Sequence, residues 1–462
     1  MNFSMHDLSS FAALRRSRLV ICAILLCLAT TSPAQPFRSA TNQTGTNVFL
    51  IDLPTVLRLA GAQNLDVRLA EQKLVEAKAH NESATLKFFP WLNAGVAYNR
   101  HDGRIQDTGG QILDVSKQSY SPGAALTAQW DFGGAIYQKL AARQLQHAAA
   151  HALNARQQDT IAAAAQGYFD LAFVQAAIGV AREAVRISTN YEAQVRSAVA
   201  AGIAFKGDLL RVSVEAERNR MALQQAIEVQ RVAAARLAQI LHLDPAVELE
   251  ARDADLIPIA LVETNATLGL LLNQAIAMRP ELKQSQALAK AAKENKNGAV
   301  YGPLIPTLTA QAFGGGLGGG PDDSWGNFGD QENYFVGASW RIGPGGLFDF
   351  GRSHAAKAQL NSARIETSKI HDEIICQVVA TFARLQSQSA QIGMAKQALT
   401  EAQKGWRLAE ERKEFGVGIV LENIQAEQDL TRARDDYFKT VAEFNKAQYE
   451  LSQAVGSLPA SK

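Results

Sequence analysis

Cysteine, net charge and uninterrupted apolar runs are all scarce in this sequence, and each shortage excludes a class of protein. There are 3 cysteines. Cys22 and Cys27 fall in an N-terminal apolar run, which leaves Cys376 and rules out a disulfide framework. Its helical surroundings predict a small buried hydrophobe at Cys376. Lys and Arg total 46 against 45 Asp and Glu, a balance that argues against nucleic acid as a partner. His-Glu-x-x-His, paired cysteines and Gly-x-Ser-x-Gly are all missing. No catalytic, cofactor-binding or metal-ligating constellation is read, so an enzyme is not expected. Proline is missing where it matters most, between Pro122 and Pro245 and again between Pro344 and Pro459. Nothing there stops a helix.

The N-terminus reads as a targeting segment. Arg15, Arg16 and Arg18 precede the apolar run from Leu19 to Ala29, and Ser32-Pro33-Ala34 supplies small residues for cleavage. This predicts a secretory signal peptide over 1–34, with the mature chain beginning near Gln35. Neither Cys22 nor Cys27 follows a lipoprotein-type small residue, so no lipid anchor is expected.

The mature chain alternates between two periodicities. A helical pattern over 52–88 ends at Pro90. Period two follows in strands at 91–100 and 123–132, in which Leu92, Ala94, Val96 and Tyr98, then Ala124, Leu126, Ala128 and Trp130, form an apolar face. The polar stretch 101–117 between them reads as a loop. Strands of about ten residues suit a tilted crossing of a bilayer. A helix over 134–200, roughly 67 residues, would be about 100 Å long. It is not a membrane span, because Gln166, Asp170 and Gln175 interrupt its most apolar part. A turn at 201–208 leads to a helix over 206–241 and a linker over 243–266.

The order then repeats. A helix over 267–301, strands at 307–313 and 333–342 around a glycine-rich loop at 314–331, a helix over 351–414 and another over 419–456 echo the first half. Trp130 matches Trp340, Asp131-Phe132-Gly133 matches Asp349-Phe350-Gly351, and Gly202 matches Gly416. The chain is therefore two tandem helix–strand–strand–helix–helix repeats, 35–266 and 267–462. Two shorter helices stacked end to end would match one long helix, so four columns result. Four strands cannot close a barrel, and open edges are not tolerated in lipid. Three chains would supply twelve strands.

Leu53 to Asn64, Ala275 to Leu282, Phe89-Pro90, Trp130-Asp131-Phe132-Gly133, Leu347 to Arg352, and the glycine turns followed by Asp208-Leu209-Leu210 and Glu422-Asn423-Ile424 together resemble the TolC-like outer-membrane efflux protein family. The resemblance covers essentially the whole mature chain. It implies a mostly α homotrimer with membrane β: a 12-stranded β-barrel in the outer membrane, completed by trimerisation, above a long periplasmic α-barrel with a belt at its middle. It also implies a passive gated exit duct, served by a periplasmic adaptor and an inner-membrane pump of RND or ABC type, in tripartite efflux or in type I protein secretion. A periplasmic coiled-coil scaffold without a channel is the rival from another class, and the apolar strand faces argue against it.

Gly314 to Gly319 fits a dinucleotide fingerprint, but Pro321 and another strand follow it, so a loop is the better reading. The Asp-Phe-Gly triplets have no kinase partners and mark strand ends. His147 and His151 stand four apart without a third ligand, which reads as structural. Trp130 and Trp340 are expected in a membrane-interface girdle. Gly202, Gly416 and Gly418 form tip turns, where the resemblance places adaptor docking. It likewise places Asp208 and Glu422 at a pore constriction that would favour cations; Gln425 stands where the family can carry a second acid.

Overall fold

The computed structural model describes residues 48–244, 247–252, 256–262, 267–415 and 419–458. The segment expected to be a signal peptide with its cleavage site, Gly416, Gly418 and parts of the 243–266 linker lie outside the described residues. In chain order the elements are β1 (Val48–Ile51), α1 (Leu53–Gln63), α2 (Leu65–Leu86), β2 (Trp91–Gln106), β3 (Ile112–Trp130), α3 (Phe132–Ala200) and α4 (Lys206–Leu241). These are followed by β4 (Glu248–Ala251), α5 (Leu268–Met278), α6 (Pro280–Tyr301), β5 (Thr307–Pro321), β6 (Gly329–Ser339), α7 (Phe350–Glu414) and α8 (Val420–Val455).

The helices form a layer of four columns. α3 has 69 residues and spans about 104 Å. It packs on α2 and α6 in one half of its length and on α4 and α8 in the other, while α7 packs on α6 and α8. The order across the layer is thus α2 with α4, then α3, then α6 with α8, then α7. Ala141, Ala148, Ala155 and Ala162 of α3 are all buried and stand seven apart. That spacing keeps one small-residue seam facing its neighbours. Asp131 and Asp349 cap the two long helices, accepting from Gly134 N and Arg352 N at 3.0 Å.

Two helices expected to be continuous are broken, and the breaks correspond between the repeats. In place of one helix over 52–88, Asn64 adopts an extended backbone. Its Oδ1 caps α2 by accepting from Asp66 N at 2.8 Å, and its Nδ2 donates to Ile240 O at 2.8 Å at the end of α4. In place of one helix over 267–301, Arg279 is extended ahead of Pro280. Its guanidinium donates to Gln453 O at 3.0 Å near the end of α8 and to Gln377 Oε1 of α7 at 2.9 Å. Each break residue therefore ties a short-helix column together where its two helices meet. The α4 and α8 ends are closed by left-handed caps at His242 (φ 54°) and Gly456 (φ 77°).

Around these joints sits the main core. Ile51, Val56, Tyr168, Phe169, Leu171, Leu237, Leu241, Leu249 and Val441 bury against one another. β1 pairs in parallel with β4. The linker from Ile257 to Val262 is strapped to α8 by side-chain amides: Asn445 Oδ1 accepts from Ile259 N at 2.8 Å, and Gln448 Oε1 accepts from Val262 N at 2.9 Å.

The second sheet is antiparallel in the order β2–β3–β5–β6. Its strands run beyond the sequence expectation. The polar residues to Gln106 and from Ile112 keep the ladder, leaving a turn that Asp107 closes by accepting from Gly109 N at 2.9 Å and Gln111 N at 2.8 Å. Polarity there tracks the surroundings of the strand, not its end. The glycine run 314–320 is strand too, paired with β3, because the rings of Tyr120 and Phe328 occupy the space that side chains would need. β6 runs from 329 to 339 instead of 333–342. A turn then carries the chain into α7, with Leu347 N donating to Arg341 O at 2.8 Å. Cys376 also departs from expectation, since it is exposed in the single chain.

Candidate functional site

The four-stranded sheet carries two chemically distinct faces. Register pairs Leu92 with Leu126, Ala94 with Ala124 and Val96 with Pro122. Across the repeat junction it pairs Leu126 with Ala312 and Trp130 with Leu308, then Ala310 with Val336. The apolar face is continuous over all four strands. The opposite face carries Asn93, Asn99, Thr127, Gln129, Gln311 and Asn333, and it is neutral over that span. β2 and β6 end the sheet as unpaired edges, with Val96 and Val336 exposed.

Aromatic rows bound the apolar face at both ends. At the helical end, Trp130 Nε1 donates to Phe88 O at 2.9 Å and its ring stacks on Phe132 at 6.2 Å. The second repeat places Trp340 likewise, with Nε1 donating to Leu304 O at 3.4 Å. At the far end Trp325 stacks on Tyr98 at 5.6 Å and Phe328 on Tyr120 at 5.9 Å. Sequence reasoning missed this second row, because Trp325 and Phe328 sit in a glycine-rich stretch without periodicity. The signal that could have found it is the pairing of Tyr98 with Tyr120. Ten residues separate Tyr120 from Trp130; at about 3.3 Å per residue and a tilt near 40°, the rows stand about 25 Å apart, the height of a lipid-facing band.

At the opposite pole each long helix turns back in a hairpin. α3 ends at Ala200 and is closed by Gly202, whose φ of 76° is left-handed, with Ile203 N donating to Ala198 O at 2.8 Å. Asp208 lies in the first turn of α4, 3.6 Å from Arg211. Glu422 lies in the first turn of α8 and accepts from Arg412 of α7 at 2.9 Å. Tyr191 of α3 lies between the hairpins: Lys413 Nζ stands 4.7 Å over its ring, and its hydroxyl is pushed up by burial while Asn423 hydrogen-bonds it. Asp208 and Glu422 are thus each matched to an arginine. Arg412, Lys413 and Tyr191 were not singled out in the sequence, since their meeting depends on how the hairpins pack. Ile203, Phe205, Phe415 and Ile419 are exposed at the hairpin ends. Among the described residues no His, Cys, Asp and Glu cluster could hold a metal.

Comparison with known proteins agrees with this geometry. A family model described as outer membrane efflux protein matches residues 56–241 and 271–457, one segment per repeat. Protein CyaE of Bordetella pertussis is 28% identical over 351 residues, covering 72% of this chain and 70% of that protein. A membrane protein from Pseudomonas aeruginosa superposes with a TM-score of 0.76 at 18% identity, over 93% of this chain and 100% of the other. The CmeC outer membrane channel of Campylobacter jejuni does so with a TM-score of 0.75 at 14% identity, over 91% and 90%. With both repeats matched and most of the chain covered, the chain belongs to the outer membrane efflux protein family.

Proposed function

We propose that three copies of this chain form the exit duct of a tripartite efflux system, a passive conduit that performs no chemistry. The observation that carries the reading is the sheet. Four strands with one apolar and one neutral polar face, ending in two unpaired edges, satisfy their backbone in lipid only when other copies complete the barrel. Three copies give twelve strands, with the polar face lining the pore and Trp130 and Trp340 in the girdle nearer the periplasm. The helical columns, about 100 Å long, extend that pore across the periplasm. Cargo would be delivered by an inner-membrane pump through a periplasmic adaptor. The adaptor docks at the hairpin turns around Gly202, Gly416 and Gly418, where the exposed Ile203, Phe205 and Phe415 offer apolar contact. Asp208 and Glu422 form the constriction there, and adaptor engagement separates the hairpins.

The test is reconstitution of the purified protein in planar bilayers, with gel migration before and after heating. A heat-dissociable trimer with discrete conductance is expected. A monodisperse monomer with intact β-structure, or a trimer without conductance, overturns the reading.

A further inference from the structure

Two carboxylates are buried together between the hairpins, on the membrane side of the tip. Glu215 of α4 and Glu427 of α8 are each 6% exposed, and both line a cavity of about 360 Å³ walled on one side by Ala177, Val180 and Ala184 of α3. Two amides cross-link them. Asn219, one turn beyond Glu215, donates to Glu427 Oε1 at 3.0 Å, and Gln428, next to Glu427, donates to Glu215 Oε1 at 2.9 Å. α4 and α8 belong to different hairpins and touch at few places. Their other link here is the apolar cluster of Val195, Val212 and Ile424, just tipward. The pair therefore sits where the two hairpins would part.

We propose that Glu215 and Glu427 form a proton-operated latch between the two hairpins, firm in acid and loosened towards neutral pH. The proposal rests on the duct reading only for its consequence, gating.

The two acids have unequal support. Glu215 has Arg218 at 3.7 Å as well as the amide of Gln428. Glu427 has the single amide of Asn219. Burial, and then the charge of Glu215, push its carboxyl up from 4.5 to about 7, against the opposing effect of Asn219. From α8 itself the cavity receives Arg432, which faces Asp429 at 3.8 Å, and Asp435, whose carboxyl is raised by burial and by Asp436. Among the described residues the α3 wall, Ala177, Val180, Ala181 and Ala184, adds no titratable group to the cavity, and the charge that acts on Glu427 there is that of Glu215.

The sign follows from proton binding. The closed junction holds a proton on Glu427 that a free carboxylate releases near 4.5, so the closed form is favoured most below that pH. It loses this advantage as pH rises from 4.5 to about 7. Above that, two buried like charges face each other and press the hairpins apart.

Hydrogen exchange of the full protein in detergent, corrected for intrinsic rates, tests this at pH 5.5 and pH 8. In the wild type, protection of 206–226 and 420–435 should fall about tenfold between these values, inside the roughly 30-fold ceiling that carboxyl values of 4.5 and about 7 allow over this pH window. Glu427→Gln keeps the amide-compatible shape and should show equal protection at both. Glu215→Gln removes the repelling charge and should move the transition to lower pH. Wild-type pH dependence retained in Glu427→Gln, or an unmoved transition in Glu215→Gln, overturns the latch. Exchange is read without conduction, so failure here leaves the duct standing, and absence of conductance at every pH would overturn the duct instead.

Discussion

α3 and α7 are counterparts in the two repeats, nearly equal in length at 69 and 65 residues, yet they live in different surroundings. α3 buries twenty residues within the chain, whereas five described residues of α7 are buried: Ala356, Leu360, Ile374, Val378 and Ala409. α3 has neighbours on both sides. α7 closes one side of the helical layer, and along it Ile365, Val379, Met394 and Leu408 recur about every two heptads, all exposed. One repeat thus supplies the inside of the subunit and the other supplies a free flank. A duplicated sequence need not have duplicated environments. The surface that α7 leaves bare is what a chain designed to associate must keep available, and the unpaired strands β2 and β6 repeat the point in the sheet.

The sharpest way to break this comparison is to charge the bare stripe. Val379→Asp combined with Met394→Asp touches nothing in the single chain's core and should abolish the trimer, read as loss of the heat-dissociable band with helix content retained by circular dichroism. An unchanged trimer would mean that the α7 stripe faces solvent.

The two break residues come next. Arg279 is buried and makes three contacts, to Gln453 O, Gln377 and, at 2.9 Å, Glu281. Arg279→Ala should cost about 2–3 kcal/mol, because it unpairs the half-buried Glu281 carboxylate and removes the charged donor to Gln453 O and Gln377. Asn64→Ala removes a cap and one tie and should cost about 1–2 kcal/mol. Chemical denaturation of the two variants should separate them by that margin, and equal losses would show the joints to be energetically interchangeable.

The glycines of the two Asp-Phe-Gly triplets differ as well. A Cβ on Gly133 would collide with the backbone of Gly302, whereas one on Gly351 would meet only the Asp349 carboxylate at 3.6 Å. Gly133→Ala should destabilise by about 1–3 kcal/mol through overpacking. Gly351→Ala should be neutral or stabilise by roughly 0.5–1 kcal/mol through helix propensity. Thermal melting of the paired variants decides it.

The smallest effect is expected at the tip. Glu422 is already matched by Arg412 at 2.9 Å and Asp208 by Arg211 at 3.6 Å, so each ring of three would carry a partly neutralised field. Glu422→Gln should lower cation selectivity and divalent block by a few-fold in planar bilayers. Asp208→Asn should have a similar or smaller effect, and trimers should persist in both. Unchanged selectivity in the double variant would place the constriction elsewhere.

Much of this architecture could be read along the chain. Periodicity located the alternating faces of the strands, and the missing prolines located α3 and α7. The position of Trp130 and Trp340 at the helical ends of the strands was legible because a tryptophan at the end of an alternating face is conspicuous locally. Tyr191, Arg412 and the Glu215–Glu427 pair were not, since each looks like an ordinary helix residue until another helix is brought against it.

The division has a physical cause. Period, propensity, capping and repetition depend on residues within a few positions of one another, so the sequence by itself determined the two repeats, the long helices, and the polar and apolar faces of the sheet. Tertiary structure alone decided where a helix gives way, as at Asn64, whose amide finds Ile240 O 176 residues away. It alone carried β5 through its glycines, by laying the rings of Tyr120 and Phe328 over them. It alone set two acids from different repeats into one cavity, where burial and mutual charge act on a carboxyl that nothing in its own stretch of chain marks out.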